Sequence, residues 1–174
     1  MPEITLDRDF LDFSVDKLQE LASRIDTCLA QLSDDQVWAR GGDHENAAGN
    51  LVLHLCGNVR QWIIASIGSE PDARQRDAEF AARGGVSTRD LRDRLSSTVA
   101  QATAVIERVT AQRLTDRLVI QGYEVSVMDA IYHVVEHFAM HTGQIMFVTK
   151  MLTGTDLGFY RHLSSAAAPG EKAP

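Results

Sequence analysis

The chain has 174 residues, 44% of them hydrophobic, a length that fits one domain and a composition able to build a sizeable core. Its formal net charge of −7, with lysines and arginines scattered rather than striped, excludes the basic face that a nucleic-acid partner requires. No window reaches the roughly 18 apolar residues of a membrane span. The stretch from Met1 to Asp12 is acidic and lacks the basic start and apolar run of a signal peptide, so the expected compartment is the cytoplasm.

Apolar residues recur at three- and four-residue spacing and prolines number only 4, which predicts an all-α fold. The first helix is expected from about Asp9 to Leu32, with Phe10, Phe13, Leu18, Leu21, Ile25 and Leu29 as its apolar stripe and Ser33-Asp34-Asp35 ending it. A loop with Trp38 and Gly41-Gly42 follows. The second helix is expected from Asn46 to Ile67, carrying Leu51, Leu55, Val59, Trp62 and Ile63, with Gly68 as its stop. Cys28 and Cys56 fall among apolar neighbours in these helices and read as buried thiols rather than a disulfide.

Residues 69–86 form a charged connector, with Arg74, Arg76, Asp77, Glu79 and Phe80, far longer than a helix–helix link needs. Ser87 and Asp90 then resemble a capping box with Asp in the usual Glu position. The third helix runs from there to about Thr110 through Leu91, Leu95, Val99, Val105 and Ile106. A partly extended piece, Arg117 to Ile120 before Gly122, leads to Ser126. Ser126 caps a fourth helix that continues to Leu152 and stops at Gly154. From residue 164 the chain is rich in Ala, Pro and Gly and is expected to fray. The expected architecture is a single four-helix bundle over residues 1–163, up-and-down with room for one crossover, and with a long connector between helices two and three.

Three of the six histidines, His133, His137 and His141, follow one another at four-residue steps. Each step turns a helix by about 400°, so the three drift slowly round one side. Val134, Phe138, Ile145 and Val148 share that side, which points it inward. Buried imidazoles need partners for their nitrogens, and a metal ion supplies one. His133 and His141 stand about 12 Å apart along the axis, too far for both to reach one ion through bonds of about 2.0–2.1 Å. His137 is therefore in any pair, with His133 or His141 as its companion. A third ligand must come from elsewhere, and His54, within the apolar run Leu51 to Leu55 and flanked by Asn50 and Asn58, is the best candidate. His44 in a polar loop and His162 near the tail read as bland.

Three neutral imidazoles leave an ion its full charge and an open position, the pattern of a catalytic rather than a closed structural site. Gln144, one turn beyond His141, and the flanking Asn50 and Asn58 are candidates to support the ligands or line a substrate. His133 to His137 also matches the protease pattern H-x-x-E-H. That pattern needs a carboxylate ligand well downstream, and only Asp156 and Glu171 follow, in a loop and the tail. Glu136 reads instead as a solvated or partner-facing charge.

The stretch His133-x3-His137-x3-His141-Thr142-Gly143-Gln144 resembles the last-helix signature of the DinB-like (YfiT-like) superfamily of bacterial metal-binding four-helix bundles. Asn46-x3-Asn50-x3-His54-Leu55-x-Gly57-Asn58-x3-Trp62, with Arg74-x-Arg76-Asp77-x-Glu79-Phe80, is similar to a branch of that superfamily without assigned function. The resemblance implies His54, His137 and His141 as the ligands, with His133 lining or supporting the site. Thr142 departs from the pattern where many relatives carry Arg, so no anion-binding role transfers to that position.

Relatives with known activity imply a metal-dependent transferase, or a related lyase or isomerase, using a low-molecular-weight thiol as co-substrate at a zinc, nickel or iron ion. Metal-assisted hydrolysis is a second enzymatic reading and lacks an obvious general base. A dimeric, non-catalytic metal-binding or stress-response module is the third, with a homodimer expected. Arg74 and Arg76 read either as holding a thiol's carboxylates or as paired with Asp77 or Glu79.

Overall fold

The apolar stripes fold as the periodicity predicts except at Phe13, which faces solvent at 59% exposure. In the computed structural model, which describes residues 5–164, the long helices are α1 (Leu6–Leu29), α3 (Ala48–Val59), α5 (Thr88–Ile106) and α6 (Val127–Thr153). Between them lie the short helices α2 (Asp34–Val37) and α4 (Arg76–Ala81) and a hairpin of β1 (Arg117–Ile120) with β2 (Tyr123–Ser126); α7 (Arg161–Ser164) follows α6. The frayed tail expected from residue 164 lies, from 165 onward, outside the described residues.

Both α1 and α3 pack against α5 and α6, so α1 faces α3 across the bundle and α5 faces α6. Two of the three links between long helices therefore run diagonally, one more than the single crossover expected. A stripe says which face of a helix is buried and not which neighbour covers it. The 69–86 connector joins adjacent helices, α3 and α5, and so is not long in order to span. It folds back on α3 through α4.

Helix ends follow local chemistry. α1 stops at Leu29, short of Leu32, because Ser33 starts α2 instead: Gln36 N–H donates to Ser33 Oγ and Ser33 N–H donates to Gln36 Oε1. The box expected at Ser87 forms by half. Asp90 N–H donates to Ser87 Oγ, but the Asp90 carboxylate takes the Ser87 hydroxyl rather than its amide. The full reciprocal box is at Ser126 and Asp129, opening α6. α5 ends at Ile106, before Thr110, where residues Ala111–Thr115 tighten into a 3-10 turn. Gln121 (φ 54°) and Gly122 (φ 83°) make the two-residue turn whose twist suits the hairpin.

Every residue of α3 is buried, since α4, α5 and α6 cover it on three sides. Beyond Val59 the helix widens into a π segment, Arg60–Ala65, with Ser66 N–H donating to Gln61 O five residues back. Such widened turns often mark functional sites. Phe138, Ile131 and Ile145 anchor α6 in the core with no exposed surface. Removing a ring such as that of Phe138 costs about 3–5 kcal/mol.

Candidate metal centre

A helix buried on every side must satisfy its polar side chains internally. Asn50, His54 and Asn58 recur at four-residue steps along α3, so they form one polar stripe inside the bundle. Asn50 ties the helix to the connector: its amide donates to Glu79 O and Ala82 O, both at 2.9 Å, and its Oδ1 accepts from Ala47 N–H and Arg40. Asn58 Nδ2 lies 3.4 Å from His133 Nε2, and the Trp62 ring packs on His133 with centroids 4.1 Å apart. His54, between the two asparagines, turns toward α6.

There it meets two histidines. His54 Nε2 and His141 Nε2 each lie 3.1 Å from His137 Nε2, and one ring nitrogen from each of the three fits within 4.8 Å of the others. Ligand nitrogens on one ion with bonds of about 2.0–2.1 Å stand about 3.0 Å apart at a right angle and about 3.4 Å apart in a tetrahedron. Both 3.1 Å distances fall between. His133 stacks on His137 at 5.5 Å between centroids, on the side away from His141.

The outward nitrogens decide the tautomers. His54 Nδ1 is 3.0 Å from Glu79 Oε2, and His141 Nδ1 is 2.6 Å from Gln144 Oε1. Both oxygens only accept, so both Nδ1 atoms carry the proton and both Nε2 lone pairs face the centre. His137 Nδ1 is buried without a hydrogen-bond partner. The three facing nitrogens cannot satisfy one another, because a proton on His137 Nε2 serves only one neighbour. A cation among them satisfies all three. The donor set therefore fits a divalent first-row ion, and its supports follow the carboxylate–histidine arrangement that orients metal ligands.

The connector supplies the support at His54. Arg74 grips Glu79 with two bonds, Nε to Oε1 at 2.9 Å and Nη2 to Oε2 at 3.0 Å, and the side chains are only 4% and 10% exposed. Arg74 Nη2 also lies 3.2 Å from His54 Nδ1, but two donors cannot bond each other, so the carboxylate takes the imidazole proton. Arg74 Nη1 donates to Gln61 Oε1 at the π segment, and Gln121 at the hairpin turn donates to the same oxygen. Gly57 makes the approach possible. A Cβ there would stand 1.8 Å from Glu79 Oε1 and 3.0 Å from Arg74 Nε. Phe80 covers His54 at 4.6 Å between ring centroids, and the Arg76 guanidinium lies over Phe80.

Burial shapes the proton equilibria. It pulls His137 down to about 3, helped by the charges of His141 and His54, and it lowers His141 and His133 as well. Burial pushes Glu79 up, but hydrogen bonds from His54 and Arg74 outweigh it and hold the carboxyl below its ordinary value. At neutral pH the site thus presents neutral His137 and His141 imidazoles beside an ionised carboxylate. Burial raises Cys28 and pushes Cys56 up to about 11, so neither thiol is a ready nucleophile.

Of the residues singled out from sequence, His54, His137 and His141 come together, with His133 stacked beside them and Gln144 bonded to His141. Asn58 reaches His133, and Asn50 serves the connector rather than facing the three rings. Of the connector arginines, Arg74 pairs with Glu79, whereas Arg76 lies on Phe80 instead of pairing with Asp77 or Glu79. Glu136 and His44 are exposed, as is His162. Glu79 as the partner of His54 and Gly57 as the space for it were not read from sequence. The signals were present: a Gly three residues after His54 in a buried helix, and a carboxylate in an overlong link.

Fold and cluster together define a helical bundle of DinB-like type with three converging histidines between α3 and α6. The chain belongs to the family described as protein of unknown function (DUF1572), which matches residues 5–166. Among solved structures it is similar to a conserved protein from Enterococcus faecalis, at 16% identity over 83% of this chain and 97% of that one, with a TM-score of 0.69. It is also similar to a DinB-like protein, YjoA, from Bacillus subtilis, at 17% identity over 84% and 96%, with a TM-score of 0.65. At such identities the likeness is one of fold. None of the curated proteins matches the chain.

Proposed function

We propose that His54, His137 and His141 hold one zinc, nickel or iron ion, and that the protein is a metal-dependent enzyme acting on a small molecule, a thiol-dependent S-transferase or related lyase or isomerase. The observation that carries this reading is the convergence of three Nε2 atoms, two of them aimed by bonds on their far nitrogens. Three neutral ligands leave an open position. An ion bound there lowers the pKa of a thiol so that the thiolate is available near neutral pH. The chain's own cysteines are buried and lie outside the cluster, so the sulfur comes from a low-molecular-weight co-substrate. His137 and His141, held neutral by burial, keep their lone pairs for the ion, and Glu79 and Gln144 keep two of the rings from turning.

Hydrolysis has less support. It needs a general base, and both oxygens of Glu79 are engaged by Arg74 and His54 on the far side of the imidazole. A non-catalytic, homodimeric metal-binding module draws support from Met128 and Tyr132, exposed one turn apart on α6. The deciding experiment assays metal-loaded protein with common bacterial thiols and a panel of electrophiles. Turnover lost on chelation and in His54→Ala supports the transferase. No turnover, combined with a collapse of thermal stability on chelation, supports the binding module.

A further inference from the structure

A groove of about 940 Å³ runs beside the cluster, between α6 and the loop over residues 39–46, and meets the site at Gln144, whose amide holds His141. Its apolar wall is Leu51 below and Met140, Phe147, Val148, Met151 and Leu152 along α6. Met140, Phe147 and Met151 are 55%, 65% and 71% exposed, unusual for large apolar side chains sharing one concave surface. The groove's lining carries two formal charges of opposite sign, Arg40 and Glu45, each hydrogen-bonded to neutral groups of the protein. Arg40 donates to Glu45 O, Asn50 Oδ1 and Ala82 O, while the Glu45 carboxylate accepts the Gly41 amide. With one charge of each sign, the lining has no net formal charge to select an ionic ligand.

We propose that this groove binds an uncharged small molecule with an apolar body, and that the molecule's reacting end reaches the three-histidine centre past Gln144. The volume lies in the range of small-molecule sites, roughly 300–1,000 Å³. The groove's 14 lining residues are fewer than the roughly 20–30 that each partner brings to a stable protein interface, and two of them are methionines, which adapt to varied shapes. The destination of the ligand rests on the function proposed above; its binding in the groove does not.

The test titrates the metal-loaded full chain with N-phenyl-1-naphthylamine, an uncharged apolar fluorophore. The double variant Phe147→Ser/Met151→Ser is compared with Tyr132→Ser, which removes an equally exposed ring of α6 outside the groove. Saturable binding is expected to wild type and Tyr132→Ser, and binding about tenfold weaker or worse to the double variant, with metal content unchanged. Binding that survives chelation and His54→Ala shows the groove acting independently of the metal reading. The proposal is overturned if the probe does not saturate, if the double variant binds as wild type does, or if Tyr132→Ser weakens binding equally. Dissociation of a wild-type dimer by the double variant, seen in sedimentation, also overturns it by making the groove an interface between copies.

Discussion

Glu79 Oε2 lies 3.0 Å from Nδ1 of His54, 25 residues earlier in the chain, and this one bond joins the connector to the centre of the bundle. It holds the imidazole proton outward and so turns the opposite nitrogen toward His137. The long link between α3 and α5 is thus part of the site.

Arg74 and Glu79 form a buried pair. Glu79→Ala leaves the guanidinium and the imidazole without their carboxylate, and is expected to destabilise the fold by about 3–5 kcal/mol. Arg74→Met combined with Glu79→Leu removes both charges and is expected to cost much less than the two single changes together. Urea denaturation of wild type, Arg74→Met, Glu79→Leu and the double variant measures the coupling; additive effects would contradict a specific pair.

Gly57→Ala puts a methyl where the Glu79 carboxylate sits. The carboxylate must leave, so metal affinity is expected to fall about 10- to 100-fold, the usual effect of losing a ligand's hydrogen-bond partner. Adding Gly57→Ala to Glu79→Ala should change little further, because the space is already free. Metal competition titrations of both variants check this, and a further large loss in the double variant would sink the account.

His137, His141 and His133 share depressed proton affinities in the fold, with burial the leading cause. Unfolded, each returns to an ordinary value near 6.5. Below that value the unfolded chain binds more protons than the folded one, so stability of metal-free protein falls as pH drops. The loss contributed by His137 continues down to about pH 3. Above about pH 6.5 these groups contribute no slope. Chemical denaturation of the metal-free chain from pH 4.5 to 8 should show that break, and a flat profile below pH 6.5 contradicts it.

Much of this was legible beforehand because helix geometry is local. Four-residue steps put His137 and His141 on one side of a helix whatever the fold around it, and the apolar run about His54 marked that residue as buried. The choice of His141 over His133 came from family resemblance, since axial rise allows either. Glu79 escaped because its meeting with His54 is tertiary. A six-residue helix in a charged link has no strong periodicity of its own, and a pairing of Arg74 with Glu79 inside the link gives no sign of an imidazole on α3. The diagonal placement of α1 and α3 escaped for a similar reason: their stripes face the core in any arrangement of neighbours.

The central claim is that His54, His137 and His141 hold one ion while His133 does not. Elemental analysis of protein purified without a histidine tag tests it most directly, beside His54→Ala, His141→Ala and His133→Ala. The account predicts about one metal per chain in the wild type and in His133→Ala, and loss of metal in the other two. Metal at the wild-type level in both His54→Ala and His141→Ala would contradict it.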